Sequence, residues 1–241
     1  MLIYQFQDFF SMFPGDSEQL FDFEENRTST EELEDKFVVS VDADWGEGYS
    51  WASLEASPNK KSMLFFGDLN TTAPKDGRIS QAGYASIKSI TRRWAFGFTK
   101  HLDFEYYTAI TLKIRGDGRT YAIHIHLDDE TDIFWMDRFT YPLYTRGGPY
   151  WQDVTIPFSK FMLTSKGFIQ DKQFPFIHRS DTVSNISIVL MDRVNGPFNL
   201  EIAQIGLIHE DQPDSAREII SYETYKMPHK IYLGSTISET G

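Results

Sequence analysis

Residues 111–127, TLKIRGDGRTYAIHIHL, gather the most chemically versatile side chains of the sequence. Gly116, Asp117 and Gly118 form a glycine-rich turn that could cradle an anion. Arg115 and Arg119 flank an acid. His124 and His126 stand two residues apart, the spacing at which a strand sends both imidazoles to one side and could offer them to a metal. Each chemistry makes a demand. A phosphate cradle of the dinucleotide type needs a third glycine and a helix start whose N–H groups meet the anion. GDGRTY has neither, and it leads into alternating apolar residues, which is strand patterning. A metal needs a third ligand. The acidic run DDETD, 128–132, falls in an expected loop, so both histidines are read as polar residues on a half-exposed sheet face and no metal is assigned. Asp117 is then a turn residue accepting backbone N–H bonds, and Arg119 a tie between neighbouring loops.

Other constellations weaken on inspection. DADWGEG, 42–48, hints at a calcium loop, but Glu47 stands where an EF-hand loop requires Gly and Ser53 where it requires a bidentate Glu. No G-x-S-x-G, H-E-x-x-H, Walker or kinase signature occurs. Three glycosylation sequons, at Asn26, Asn70 and Asn185, matter only in a secreted chain and are read as chance.

These residues are carried by short strands. Period-two alternation marks Phe37/Val39/Val41, the run SMLFF (62–66), Trp94/Phe96/Phe98, Ile110/Leu112/Ile114 and Tyr121/Ile123/Ile125/Leu127. It continues in Val154/Ile156/Phe158, Ile186/Ile188/Leu190 and Phe198/Leu200/Ile202 followed by Ile205/Leu207. The strands on either side of Gly116–Gly118 read as a β-hairpin, with glycine supplying the positive φ of its turn. Phe6, Phe9, Phe10 and Phe13 lie at helical spacing before Pro14-Gly15, and EENRTSTEELEDK follows as a solvated linker with one helical turn capped by Ser29 or Thr30. DSAREIISYETYK, 214–226, reads as a short helix opened by Asp214 or Ser215. Many short strands without a long amphipathic helix predict an all-β protein, an antiparallel β-sandwich or jelly roll. The expected organisation is an acidic, aromatic N-terminal arm (1–36), a sandwich (37–212) and a C-terminal extension (213–241), the two extensions being helical.

Composition fits and excludes. The 241 residues are 41 % hydrophobic and 15 % aromatic, enough for a sizeable core. The net charge of −12 leaves no basic surplus for nucleic acid. Residues 1–36 hold ten acidic and two basic residues, so most of that charge sits there. Without Cys there are no disulfides or thiolate sites. No apolar run approaches the roughly 18 residues of a spanning helix, and the absence of Lys or Arg before Arg27 leaves no visible signal or transit peptide. Trp135, in IFWMDRF, and Tyr150-Trp151 sit on or beside expected loops. They fill the core, anchor a protein interface, or stack on sugars. The Phe6/Phe9/Phe10/Phe13 stripe straps onto the sandwich or docks in a partner groove. A membrane role is disfavoured for it because the segment carries no basic residue.

AGYASIKSI (82–90), IRGDGRTYAIHI (114–125), WQDVTIPFSKF (151–161) and GPFNLEIAQIGL (196–207), with DWGEGYSWASLEAS (44–57) and LFFGDLN (64–70), together resemble the complex I intermediate-associated protein family. The likeness covers about residues 37 to 210 in order, and Arg115 to Arg119 followed by Tyr121 is its most specific piece. It implies a jelly roll similar to galactose-binding and carbohydrate-binding modules. It further implies a mitochondrial chaperone for respiratory complex I assembly, located in the matrix and at most peripheral to the inner membrane. The implied partners are membrane-arm intermediates and other assembly factors, among them an acyl-CoA-dehydrogenase-like flavoprotein and an adaptor protein. No catalytic residue and no cofactor carry over. The expectation is a non-enzymatic assembly factor acting in NADH dehydrogenase biogenesis through protein–protein contacts. The alternatives are a carbohydrate-binding or lectin-like module on the same fold, and a metalloenzyme built on His124, His126 and a nearby carboxylate.

Overall fold

A computed structural model describes residues 17–75, 77–128, 137–165, 167–209 and 219–222. Among these residues fourteen strands form two antiparallel sheets that pack as a jelly-roll sandwich. In chain order they are β1 (Ser17–Asp22), β2 (Phe37–Val41), β3 (Trp51–Ala56), β4 (Met63–Leu69) and β5 (Ala85–Ser89). Then come β6 (Ala109–Arg115), β7 (Thr120–Leu127), β8 (Asp137–Tyr144), β9 (Gln152–Pro157) and β10 (Met162–Ser165). The last are β11 (Phe168–Ile169), β12 (Val183–Leu190), β13 (Gly196–Ile208) and β14 (Ile219–Tyr222). The first sheet runs β14-β9-β6-β13-β4-β3, with β1 also on β13; the second runs β11-β10-β8-β7-β12-β5-β2.

The alternating pattern builds the core directly. Ile110, Leu112 and Ile114 of β6 and Phe198, Leu200 and Ile202 of β13 are buried from the first sheet, facing Tyr121, Ile123 and Ile125 of β7 and Ile186 and Ile188 of β12 from the second. A bulge between Ile202 and Gln204 in the β13–β6 ladder keeps Ile205 and Leu207 inward despite the change of phase. Phe104, Phe139, Phe158 and Phe176 close the core with ring centroids 4.8–6.0 Å apart. The acidic segment joins this packing. β1 pairs with β13, and a short helix α1 (Thr30–Glu34), capped by the Ser29 hydroxyl accepting from Glu32 N, buries Leu33 beside Phe23 and Phe37 in the same core.

Three local expectations are corrected. First, β6 and β7 are not a hairpin. β6 lies in one sheet and β7 in the other, so residues 116–119 carry the chain across the sandwich. Period two tells which side of each strand is apolar, and two strands facing one core from opposite layers satisfy it as well as two neighbours do. Second, residues 92–98 are not a core strand. Arg93 and Thr99 bridge each other, and Trp94 to Phe98 form an exposed tip. Third, Ile219–Tyr222 is strand rather than helix. It adds to β9, whose outer edge otherwise leaves unpaired N–H and C=O groups, and the β-branched and aromatic IISY suits that ladder. The rest of the expected C-terminal helix and the Phe6/Phe9/Phe10/Phe13 stripe lie outside the described residues.

The connections sort into two ends. The crossings β2–β3, β4–β5, β6–β7, β8–β9 and β12–β13 share one end, here the crossover end. The β5–β6 and β10–β11 connections and the entry to β12 share the other.

Gly118 stands at φ +92 in the crossing, a left-handed conformation that a β-branched residue resists. Gly118→Val is expected to lower stability by roughly 1–3 kcal/mol. Urea unfolding checks this, and a wild-type midpoint would show that the crossing does not require that conformation.

Candidate functional site

The crossover end is built from the residues that stood out in the sequence. Asp117 accepts three bonds. Its Oδ1 takes Arg119 N at 3.0 Å, and its Oδ2 takes Asn199 N at 2.8 Å and the Tyr121 hydroxyl at 3.1 Å. Burial, reinforced by the Asp117 charge and the hydrogen bond to it, pushes the Tyr121 phenol far above its usual pKa. Thr145 closes the turn from β8's side. Its hydroxyl accepts from Gly118 N at 3.1 Å and donates to Arg119 O at 2.8 Å. Gly116 is required there, because a Cβ would lie 2.3 Å from that of Thr145.

Arg119 spans the crossing. Nε donates to Asp192 Oδ2 at 2.9 Å and Nη2 to Asp192 Oδ1 at 2.7 Å, a bidentate fork. Nη1 reaches the carbonyls of Gly196 and Pro197, and Nη2 also meets that of Val194. The hydrogen bonds that Arg119 donates to Asp192 raise its own pKa. Burial would raise that of Asp192, but Arg119 and the Val194 N–H outweigh it and hold the carboxylate below its usual range. This half of the motif is spent internally.

Arg115 turns the other way, onto the outer face of the first sheet. Its Nε donates to Glu201 Oε2 at 2.9 Å, and Nη2 meets the same oxygen. Its guanidinium lies 5.0 Å from the Trp151 ring centroid, and the Lys113 ammonium lies 5.9 Å from it. Beside them a cleft of about 310 Å³ is lined by Arg115, Gly116, Asp117, Gly148, Pro149, Asn199 and Glu201. Arg146 stands 5.8 Å over Tyr150. Trp45, Tyr49, Trp51 and Tyr144 are exposed at the same end. Trp51 meets Phe66 edge-on at 6.1 Å on the outer face of that sheet. The result is an aromatic rim carrying fixed cations, chemistry suited to holding a complementary surface.

The histidines are elsewhere. His124 and His126 occupy the outer face of the second sheet, but His124 is buried rather than half-exposed. Its Nδ1 bonds the Thr140 hydroxyl at 2.8 Å, Thr140 bonds Thr164 at 2.7 Å, and His126 Nε2 bonds the Ser187 hydroxyl at 2.8 Å. Burial, helped by the Arg138 charge, lowers His124 to about 3. His126 is pushed down by burial first, then by Lys88, Arg138 and His124. Among the described residues no three metal-ligating side chains converge. In the DADWGEG loop, which fails the EF-hand pattern, Asp42 accepts from Ser50 N at 2.9 Å and Gly83 N at 2.6 Å, and Asp44 accepts from Val41 N at 2.9 Å. Those carboxylates hold loops together.

Of the expected interface residues, Tyr150 and Trp151 lie at this end, while Trp135, Phe6, Phe9, Phe10 and Phe13 lie outside the described residues. Trp45, Tyr49, Trp51 and Tyr144 are not among the sequence-based candidates. Only the shared end of their connections, which needs the topology, brings them together.

Arg119→Lys keeps the charge but loses the fork, so we expect a loss of about 2–4 kcal/mol in urea unfolding; a loss below about 0.5 kcal/mol would show the clamp to be dispensable. His124 gives a pH signature. Its folded pKa lies below the unfolded value of about 6.5, so its stability contribution is complete above that pH and is lost as pH falls toward about 3. Near pH 5 this costs about 2 kcal/mol. His124→Gln should flatten the wild-type difference between about pH 7.5 and about pH 5 by that amount; parallel slopes would mean that the histidine titrates normally.

Comparison with known proteins places this geometry. The sequence profile of the family described as complex I intermediate-associated protein 30 (CIA30) matches residues 21–202. Complex I intermediate-associated protein 30, mitochondrial, of Drosophila melanogaster is 40 % identical over 218 residues, covering 90 % of this chain and 71 % of its own length. The probable counterpart in Caenorhabditis elegans is 43 % identical over 203 residues, covering 84 % of this chain and 58 % of its own. The Mus musculus protein is 39 % identical over 173 residues. This chain thus spans only 52 % of the mouse relative and 58 % of the nematode one. Among solved structures, a family 11 carbohydrate-binding module from Clostridium thermocellum superposes with a TM-score of 0.51 at 16 % identity, over 80 % of this chain and 95 % of the module. That likeness is one of fold. The sequence kinship is closer, and by it the chain belongs to the complex I intermediate-associated protein 30 family.

Proposed function

We propose that this chain is a non-catalytic assembly factor for mitochondrial respiratory complex I, binding assembly intermediates and other assembly factors through the crossover end of the sandwich. The family supports the process and the compartment, since its relatives carry mitochondrial complex I intermediate-associated names. The observation that carries the surface is the rim itself. Trp151 lies under the Arg115 guanidinium, with Trp51, Trp45 and Tyr49 exposed at the same end. Large amphipathic rings and arginine are the side chains that concentrate binding energy at interfaces. Glu201 holds Arg115 from behind, its Oε1 accepting from the Ser62 hydroxyl, so the guanidinium over Trp151 is preorganised. We assign the rim to protein partners of the kind the family resemblance names, a flavoprotein related to acyl-CoA dehydrogenases, an adaptor protein and membrane-arm intermediates. Their matrix location belongs to the same proposal. The mechanism is holding: apolar surface on an incomplete intermediate is covered until the next subunit replaces this protein.

The test is purification from mitochondria in mild detergent, followed by mass spectrometry. Wild type is expected to co-purify with complex I intermediates. The Trp51→Ala/Trp151→Ala double variant should lose about tenfold or more of that material while keeping the wild-type melting temperature. Migration of the wild type alone would end the proposal, and full retention by the variant would remove the rim from it.

A further inference from the structure

The opposite end carries a second surface that this function does not use. After β5 the chain rises as a narrow hairpin. Arg93 bridges Thr99, Lys100 N donates to Arg92 O at 2.8 Å, and Trp94 N donates to Phe98 O at 2.7 Å. At its tip Phe96 is 96 % exposed, Phe98 72 % and Trp94 59 %. Phe96 at φ +73 and Gly97 at φ +84 turn the chain there. A bulky residue in the left-handed region is strained, and here the strained residue presents its ring to solvent.

The base of the hairpin is basic. Arg92, Arg93 and Lys100 flank the three rings, and residues 91–102 contain no acid, in a chain of net charge −12. The Lys100 ammonium lies 4.8 Å over the Trp94 ring, which sets a cation at the level of an aromatic. The base is anchored. Leu102 N donates to Val183 O at 2.8 Å, and His101 pairs with Asp128 at 3.1 Å. Among the described residues Asp128 faces the base, and His101 and Thr99 engage it; Asp103 and Glu105 follow below. Phe168 and Ile169 of β11 and Ile177 before β12, all exposed, stand at the same end.

We propose that the hairpin 92–100 is a membrane-docking element. Trp94, Phe96 and Phe98 enter the interfacial layer of a bilayer, while Arg92, Arg93 and Lys100 meet its anionic phospholipid headgroups. The charge pattern selects this occupant. Apolar rings on a convex tip, ringed by cations, match a surface with acyl chains below and phosphates above. The rest of the chain carries a net negative charge and is on balance repelled by such a surface, so the hairpin also fixes orientation. This inference does not depend on complex I, and its test uses none of it.

Full-length purified chain is sedimented with vesicles of phosphatidylcholine alone and of phosphatidylcholine mixed with phosphatidylglycerol. Binding is expected to the mixed vesicles, falling with added salt. Each basic residue removed should weaken it about fivefold, so Arg92→Gln/Arg93→Gln/Lys100→Gln should weaken it about 100-fold. Phe96→Ser/Phe98→Ser should abolish sedimentation with unchanged melting temperature, since neither ring is buried. Brominated lipid should quench tryptophan fluorescence in wild type and much less in Trp94→Tyr. Absent binding of wild type to mixed vesicles overturns the proposal, as does binding that survives both multiple variants. Loss of a detergent-solubilised protein partner by Phe96→Ser/Phe98→Ser, with vesicle binding intact, also overturns it, because the tip would then be a protein contact.

Discussion

A largely enclosed guanidinium holds the crossover end together. Arg119 uses all three nitrogens inside the protein, tying the start of β7 to the loop between β12 and β13 through Asp192 and three carbonyls. A charge so enclosed is tolerable only when its partners are fixed, and they are fixed only if the chain changes sheets at residues 116–119. Asp117 makes the complementary tie to β13 through Asn199 N. The clamp and the topology therefore require each other. Since Arg115 stands four residues before Arg119, the same crossing also sets the guanidinium that covers Trp151.

The sequence displays strands well because burial on one side forces alternation. Phe37/Val39/Val41, Val154/Ile156 and Ile186/Ile188 all lie in strands, and the jelly-roll class follows from their number and shortness. Alternation is blind to partnership. Ile110 to Ile114 and Tyr121 to Leu127 bury one side each, and nothing in either run says that they belong to different layers. It is also blind to whether an apolar side finds a core. Trp94, Phe96 and Phe98 alternate as faithfully as any buried strand, yet they sit on a hairpin whose tip meets solvent. Gly97 was the local sign of a turn. At the C-terminal side, IISY carried β-propensity, but its neighbours suggested a cap and a helix; the open edge of β9 decided the outcome.

The site was legible in part for the same reason. Asp117 and Arg119 could be read as turn and tie from residue type alone, because a short acid between glycines has few other uses. Tyr150 and Trp151 stood out by their loop setting. Trp45 and Tyr49 did not, since their nearness to Trp151 arises from five connections sharing one end, a property of strand order. The histidine pair was placed on the correct face with the wrong environment. Period two fixes the face, while its burial depends on what packs across the hydroxyl ladder of Thr140, Thr164 and Ser187.

That ladder sharpens where binding can occur. On the outer face of the second sheet, the ring nitrogens and hydroxyls already bond one another, and the imidazoles are held neutral between Lys88 and Arg138. A polar ligand would have to replace those bonds one for one, with little net gain. The free chemistry lies at the two ends, where connections rather than strands carry the side chains. Antiparallel strands separate those ends by the length of the sandwich. If the basic hairpin rests on a bilayer, the rim around Trp151 is turned away from it, toward the aqueous phase. One rigid sandwich would then present a lipid-facing and a protein-facing surface at once, an arrangement that suits a factor working on a partly built membrane complex and that neither surface implies alone.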